Sequence, residues 1–168
     1  MDQLKAETFF LALYDQFADA IFRYCYFRVS SRELAEDLMQ ESFMKAWKYL
    51  CDGHEIDNPK AFLYKTAGNL VIDHYRAKRQ EVGLQEAEEA NLLGHAPSSE
   101  ADMEQSLAME KVARAIRLLS PLHQDVVIMR FVEELTVKEV GTTLKKSEGA
   151  VKVLQHRAIQ KLKELLLS

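Results

Sequence analysis

The stretch TVKEVGTTLKKSEGAVKVLQHRAIQKLKELL, residues 136–166, decides the fold of the carboxy-terminal third of the chain. Thr136 with Glu139 is a capping-box pattern that begins one helix, and Ser147 can cap a second helix. Apolar residues of the second helix recur at three- and four-residue spacing, which predicts one buried face: Val151, Leu154, Ala158, Leu162 and Leu165. A short helix, a tight turn near Lys145 and a long helix form the helix-turn-helix arrangement.

The opposite face of the long helix carries side chains that donate hydrogen bonds. They are Lys152, Gln155, His156, Arg157, Lys161 and Lys163. The second helix of a helix-turn-helix enters the major groove of DNA, and its N-terminus at Ser147 is favourable to phosphate. Helical hairpins also occur in proteins that bind no DNA, so this polar face contacts either water or a nucleic acid.

Charge is distributed unevenly along the 168 residues. The chain carries a formal net charge of −4, with 11 basic and 12 acidic residues over 1–79, none and 8 over 80–110, and 11 and 6 over 111–168. The basic last segment favours a negatively charged partner. The acidic middle segment contains no aromatic residue, so we expect a flexible linker between two domains, residues 1–79 and 111–168.

Residues at the predicted helix starts indicate an all-α fold. Three further starts are Ser30 with Glu33, Asn58 before Pro59, and Ser120 before Pro121. The first two of these helices are expected to run to about Leu50 and about Arg79. The sequence therefore predicts two small helical domains joined by the acidic linker.

Composition limits the classes of function. The apolar content of 48% is enough for real cores, and no apolar run is long enough to cross a bilayer. We therefore expect a soluble cytoplasmic protein with no membrane insertion. Cys25 and Cys51 form no CxxC motif and are expected to be reduced packing residues. No nucleophile with a base and no metal-ligand cluster stands out, so we expect neither an enzyme, a cofactor nor a metal site.

The helix before Leu50 has an acidic face. Glu33, Asp37 and Glu41 follow one another at i, i+4 spacing, with Gln40 and Met44 beside them, while Phe43 falls on the opposite side with the expected core. The pattern predicts either a solvated acidic face or a docking stripe for a basic partner.

The next helix mixes aromatic, apolar and charged residues on one face. The face consists of Phe62, Lys65, Asn69, Ile72, Asp73 and Arg76. Single-stranded nucleic acid suits such a face, because bases stack on aromatic rings and phosphates pair with cations. The alternative is that Phe62 simply folds into the core. His74 lies on the buried side and is expected to pack or hydrogen-bond internally.

Four blocks of sequence, in this order and spacing, resemble bacterial RNA polymerase sigma factors of the sigma-70 family, in its extracytoplasmic-function (ECF) group. The blocks are AEDLMQESFMKAW, FLYKTAGNLVIDHYR, LSPLHQDVVIMRFVEELTVKEVG and GAVKVLQHRAIQKL. The resemblance implies sigma domain 2 and sigma domain 4 without a middle domain. It also implies a non-catalytic subunit that binds core RNA polymerase, directs it to a subset of promoters and promotes DNA melting.

The resemblance assigns roles to individual residues. It implies docking on the polymerase clamp helices by Asp37, Gln40, Glu41, Phe43 and Met44. It implies recognition of the −10 promoter DNA by Phe62, Lys65, Asn69, Asp73, Arg76 and Arg79, with a base flipped into a pocket near Asn69 and the loop from Cys51 to Asn58. It implies recognition of the −35 element by Ser147, Lys152, Val153, Gln155, His156 and Arg157. An anti-sigma factor is the further partner that the resemblance implies.

Some residues depart from the pattern of the family. Phe62 stands where tryptophan is common, and Gly141 replaces a small alanine of the helix-turn-helix at an expected cost of ~1 kcal/mol. The turn near Lys145 lacks a glycine, so a residue there is expected to adopt a less favourable backbone angle.

Two other classes of function remain open from the sequence alone. One is a stand-alone helix-turn-helix regulator that binds duplex DNA without polymerase, and the other is a sigma-like adaptor that binds only proteins. A duplex-binding regulator would leave the acidic face around Asp37 and Glu41, and the face from Phe62 to Arg76, without a role.

Overall fold

The structure is a computed structural model that describes residues 2–82 and 100–168. Within those ranges the chain forms seven α-helices and one π-helical segment and has no strand, so the predicted all-α class is confirmed. The predicted linker falls mainly on residues 83–99, which lie outside the described residues. In the described ranges no helix has both the length and the apolar character needed to cross a bilayer.

The first unit of the fold is a bundle of three helices. Helix α1 spans Gln3–Val29, α2 spans Arg32–Cys51 and α3 spans Pro59–Val82. The bundle core includes Ile21 of α1 and Leu63 of α3, both fully buried. Helices α1 and α2 follow each other after only two residues, which places them side by side.

The two residues between α1 and α2 correct one predicted cap. Ser30 has a φ of 60° and ends α1 in the left-handed region, while Ser31 caps α2 by accepting a hydrogen bond from the Leu34 N–H at 3.2 Å. The prediction that Ser30 caps α2 was wrong by one residue. Either serine side chain could cap a helix, but Ser30 forms the turn that reverses the chain after α1, so Ser31 is the cap of α2. Asn58 caps α3 as predicted, accepting from the Ala61 N–H at 3.1 Å.

The second unit contains four helices. Helix α4 spans Glu100–Arg117 and α5 spans Pro121–Val127, which continues into the π-helical segment Ile128–Val132; α6 spans Val137–Leu144 and α7 spans Glu148–Leu167. The predicted caps of these helices are confirmed at Ser120, Thr136 and Ser147. Helices α6 and α7 form the predicted helix-turn-helix, with α5 packed against α7.

The turn of the helix-turn-helix explains the glycine at position 141. Lys145 has a φ of 57°, and this left-handed residue turns the chain so that the Lys146 N–H donates to the Gly141 carbonyl at 2.9 Å. A Cβ atom on Gly141 would lie 2.7 Å from the Lys146 carbonyl oxygen. Glycine lowers helix stability at this position, but any residue with a side chain would collide with the backbone of the turn. The turn therefore accounts for Gly141.

Candidate polymerase and nucleic-acid interface

Helix α2 exposes most of the predicted docking stripe. Asp37, Gln40, Glu41 and Met44 are all exposed, and the Met44 side chain is 64% accessible. The packing of α2 against α1 and α3 leaves this side of the helix free. Four of the five predicted docking residues therefore share one accessible surface, with an apolar side chain beside two carboxylates.

Phe43 is the docking residue that the structure does not place on this surface. Its ring is 2% exposed and packs against Tyr14, with centroids 5.0 Å apart, and edge-on against Phe10 at 6.2 Å. The helical pattern places Phe43 in the core, while the resemblance implied a docking role, and the structure agrees with the pattern. Phe43 supports the stripe from behind by fixing α2 against α1.

Helix α3 carries the predicted −10 set on one side. Five residues of this set are exposed: Lys65, Asn69, Asp73, Arg76 and Arg79. Phe62 is half-buried, so it neither enters the core fully nor stands free in solvent. The charges and the amide therefore lie along a single accessible face, with the aromatic ring at its amino-terminal end.

Phe62 belongs to a short series of aromatic rings that the sequence analysis missed. Its ring lies 5.2 Å from Tyr49 at the end of α2, and Tyr49 stacks on His54 at 4.3 Å and 21°. Tyr49 lies in the last turn of α2, and His54 lies in the loop between α2 and α3. The sequence offers one signal for this pair of rings: they lie five residues apart at the start of the predicted loop. The series gives this loop flat π-surfaces next to the −10 set.

His74 is half-buried on the inner side of α3, next to the ring of Tyr75 at 5.5 Å. Burial, followed by the positive charge of Lys78, lowers the pKa of His74 below its usual 6.5. The imidazole is therefore disfavoured in its charged form.

Helix α7 exposes all but one member of the predicted −35 set. The exposed members are Ser147, Lys152, Val153, His156 and Arg157. Gln155 is half-buried, and its Oε1 accepts a hydrogen bond from Arg130 Nε at 2.9 Å.

A groove of about 520 Å³ runs beside this face of α7. It is lined by Arg130, Phe131, Val137, Lys152, Gln155, His156 and Ile159. Arg130 also donates to the Leu135 carbonyl at 2.6 Å, and its guanidinium lies 5.8 Å from the centre of the half-exposed Phe131 ring. The π-helical segment thus places a cation in contact with α7 and an aromatic ring beside the groove. Neither residue was predicted from the sequence, because both lie upstream of the helix-turn-helix pattern.

Comparisons with known protein families match both units. The family described as sigma-70 region 2 matches residues 13–81, and sigma-70 region 4 matches residues 115–164. Together these ranges take in α2, α3 and the helix-turn-helix.

The chain belongs to the sigma-70 family. The relatives place it in the ECF group, as the four sequence blocks indicated. It is 37% identical over 160 residues to the ECF RNA polymerase sigma factor BldN of Streptomyces coelicolor, covering 92% of this chain and 59% of BldN. It is 32% identical over 157 residues to the ECF RNA polymerase sigma factor SigD of Mycobacterium bovis, covering 88% of this chain and 72% of SigD. The prediction of an RNA polymerase sigma factor is confirmed at the level of the family.

Two solved proteins share the fold, and one of them is a sigma factor. The sigma factor RpoE of Bartonella quintana, solved in complex with the anti-sigma factor NepR, matches with a TM-score of 0.69 at 23% identity, covering 91% of this chain and 93% of RpoE. CnrH, solved in complex with the cytosolic domain of CnrY, matches with a TM-score of 0.68 at 22% identity, covering 94% of this chain and 86% of CnrH. The all-α architecture of this sigma factor is therefore shared with both solved proteins.

Proposed function

We propose that this sigma factor binds core RNA polymerase through the α2 stripe, opens −10 promoter DNA through α3 and reads the −35 element through α7. The observation that carries this proposal is that each of the three helices exposes its polar set on a side left free by packing. The chain supplies contacts and positioning in this function, with no catalytic step, and it acts in the cytoplasm where promoter DNA and polymerase meet.

Charge and shape support docking through α2. Asp37 and Glu41 are exposed, and within the described ranges neither forms an ion pair, although Arg32 and Glu36 of the same helix do at 3.8 Å. Two unpaired carboxylates beside the exposed Met44 suit a basic helical surface with an apolar centre, such as the clamp helices of core polymerase.

Strand opening follows from the mixed chemistry of α3 and the loop before it. Lys65, Arg76 and Arg79 supply cations for phosphates, and Asn69 supplies an amide for a base edge. The ring of Phe62 provides a stacking surface, and stacking on an aromatic is worth ~1–3 kcal/mol per base. That energy is gained only when the strand is open, because paired bases stack on each other. The face therefore shifts the melting equilibrium towards the open strand.

Reading of the −35 element is assigned to the exposed residues of α7. Lys152 and Arg157 are long cations that reach phosphates or guanine edges, and Val153 offers an apolar contact in the major groove. Ser147 caps the N-terminus of this helix, which is exposed, and backbone N–H groups at a helix N-terminus favour phosphate.

We further propose an anti-sigma factor as a regulatory partner. Both solved structures described above are complexes, one with the anti-sigma factor NepR and the other with the cytosolic domain of CnrY. A partner that covers both units at once would hide the −10 and −35 faces together. Purification of this sigma factor from the native cell, with the proteins bound to it, would identify the partner.

The experiment that tests the proposed function compares three binding reactions of the purified chain. Core polymerase alone, duplex promoter DNA alone and the two together are incubated with it, and thymines made reactive by melting are mapped with permanganate. We expect stable binding to core polymerase and melting only in the ternary mixture. Tight binding to duplex DNA without polymerase would instead indicate a stand-alone regulator, and protein binding without melting would indicate an adaptor.

A further inference from the structure

The start of the loop between α2 and α3 holds two rings in a parallel stack. The centre of the His54 imidazole lies 4.3 Å from the centre of the Tyr49 ring, and the two planes differ by 21°. Within residues 2–82 and 100–168, the other ring pairs are tilted, edge-on or more than 6 Å apart. The pair therefore has the face-to-face geometry of a nucleobase stacked on an aromatic side chain.

The backbone of the loop brings His54 back over the end of α2. Gly53 has a φ of 93°, in the left-handed region that favours glycine, and its N–H donates to the Leu50 carbonyl at 3.1 Å. The His54 N–H donates to the Tyr49 carbonyl at 3.3 Å. Two residues later Ile56 is buried and anchors the loop in the core. The backbone of His54 is thus held beside Tyr49, and the imidazole can leave the stack by rotation of its own side chain.

Stacking is the contact that holds the imidazole. In the part of the chain that the structure describes, His54 is exposed and its side chain makes no hydrogen bond or ion pair. Tyr49 is still 37% exposed beside it. Each nucleobase has a larger planar surface than imidazole, and stacking is more favourable when more apolar surface is covered. A base that reaches Tyr49 is therefore favoured over His54 as the stacking partner.

The stack borders the −10 set of α3. Phe62 lies 5.2 Å from Tyr49 with the ring planes 41° apart, so these two rings are in contact without stacking face to face. Lys65 and Asn69 are exposed and follow Phe62 by about one and two helical turns. A strand that follows the proposed −10 face therefore has Tyr49 at one end of its path.

We propose that the His54 imidazole occupies the base-stacking surface of Tyr49 in the free chain, and that an unpaired base of the −10 strand displaces it when the promoter opens. Tyr49 then contacts the open strand, and His54 competes with the base for that contact. The displacement rests on the proposed function, because it requires strand opening at the −10 face. The stack itself is a property of the free chain, so the two statements are tested by separate measurements.

The competition gives the two members of the stack opposite effects on opening. Tyr49→Leu removes the stacking surface and lowers opening, whereas His54→Ala uncovers the surface and raises opening. If the stack served only to hold the loop in place, both substitutions would lower opening. His54→Phe keeps a ring without the imidazole nitrogens, and its comparison with His54→Ala separates the effect of a ring from that of a charge.

Proton NMR of the full chain tests the stack in buffer without polymerase or DNA. The ring current of Tyr49 is expected to shift the imidazole protons of His54 upfield in the parent, and Tyr49→Leu is expected to abolish that shift. The chain contains five histidines, so the signals lost in His54→Ala assign the residue. His54 signals at the positions of an unstacked histidine in the parent would overturn the stack.

Permanganate mapping of holoenzymes tests the displacement, on a promoter fragment that the parent holoenzyme binds. We expect His54→Ala to raise the ratio of open to closed promoter by roughly twofold to tenfold, and His54→Phe to lower it below that of His54→Ala. Tyr49→Leu is expected to lower the ratio at least about fivefold. In the Tyr49→Leu background, His54→Ala is expected to have no effect, because no stacking surface remains to be uncovered.

Tyr14→Leu is the matched control, since Tyr14 of α1 is also 37% exposed and lies outside the loop. It is expected to open the promoter as the parent does, and circular dichroism checks that each variant is folded. Opening that is unchanged or reduced in His54→Ala, or equal in His54→Phe and His54→Ala, would overturn the competition. If the parent holoenzyme binds the fragment without opening it, the proposed function fails and the displacement fails with it, while the NMR signals still decide the stack.

Discussion

Arg130 and Gln155, which are 25 residues apart in the chain, are joined side chain to side chain: Arg130 Nε donates to Gln155 Oε1 at 2.9 Å. The bond takes up the acceptor of the amide and leaves its NH₂ group to donate. If the proposed −35 contact is made, we therefore expect Gln155 to donate to a base acceptor such as N7 or O6 of guanine. It is less suited to the two-pronged contact with adenine, which needs the amide oxygen as well.

Replacing this amide tests that assignment. Gln155→Glu keeps the acceptor for Arg130 and removes the two N–H donors of the amide, so we expect an unchanged fold and a loss of about 1–3 kcal/mol in −35-dependent binding. Gln160→Glu, at an exposed position of the same helix, adds the same charge as a control. Holoenzyme binding is measured on promoters with intact and scrambled −35 elements. Equal losses for the two variants would reduce the effect to phosphate repulsion.

Reversing the charge of the docking stripe is expected to abolish polymerase binding. Asp37→Lys with Glu41→Lys places two cations against a basic partner, and breaking a buried charge pair typically costs about 2–5 kcal/mol. Glu36→Lys, one residue from the stripe on the same helix, is the control for added charge. Pull-down with core polymerase measures binding, and thermal unfolding checks the fold. Unchanged affinity of the double variant would show that polymerase docks elsewhere.

Removing the −10 contacts is expected to impair melting more than duplex binding. Phe62→Ala removes the stacking surface and Asn69→Ala removes the amide, which together lower the stability of the open strand by roughly 1–3 kcal/mol per lost stack. Phe62→Leu retains apolar volume without a ring and is expected to melt as poorly as Phe62→Ala. Permanganate reactivity and duplex affinity of the holoenzymes are compared. Wild-type reactivity in Phe62→Leu would mean that the ring acts only by packing on Tyr49.

The elements of this fold were predictable where a local signal fixes them. Asn58, Ser120, Thr136 and Ser147 each cap the predicted helix, because a cap depends on residues within three positions along the chain. The exposed sides of α2, α3 and α7 follow from the helical period in the same way. Ser30 was misassigned because two adjacent serines satisfy the same local signal.

The ion pairs between the two helical units were not predictable from the sequence, for a physical reason. Arg23 and Glu133 are 110 residues apart, and Lys60 and Glu139 are 79 apart. No helical periodicity relates residues so far apart in the chain. From the sequence alone, each of them is an ordinary charged residue that is expected on the surface. The helical pattern correctly predicted that Phe43 is buried, whereas the family resemblance alone implied an exposed docking residue.

Two glycines of the helix-turn-helix are expected to respond in opposite directions to alanine. Gly141→Ala is destabilising because its Cβ would lie 2.7 Å from a backbone oxygen, which outweighs a helix-propensity gain of about 1 kcal/mol. Gly149→Ala meets no atom within 4 Å and is stabilising by up to about 1 kcal/mol. Urea unfolding of the two variants measures both effects. Stabilisation by Gly141→Ala would contradict the tight turn at Lys145.

His74 is expected to make stability depend on pH near neutrality. Since the folded state lowers its pKa below 6.5, the unfolded chain binds the proton more readily as the pH falls through 6.5. Stability is therefore full above pH 6.5 and decreases down to the lower folded pKa, where the effect levels off. Urea unfolding at pH 7.5, 6.5 and 5.5 is compared for the parent and His74→Gln. The variant is expected to show the shallower dependence, and an equal slope would assign the effect to other groups.

The central claim is that this single chain gives core polymerase the ability to select and open promoters. It is tested most directly by reconstituting the chain with core polymerase, selecting bound genomic fragments and transcribing them in vitro. We predict discrete start sites on the selected fragments, with permanganate-reactive thymines just upstream of each start only when both components are present. Selected fragments that yield neither discrete transcripts nor reactive thymines would contradict the account.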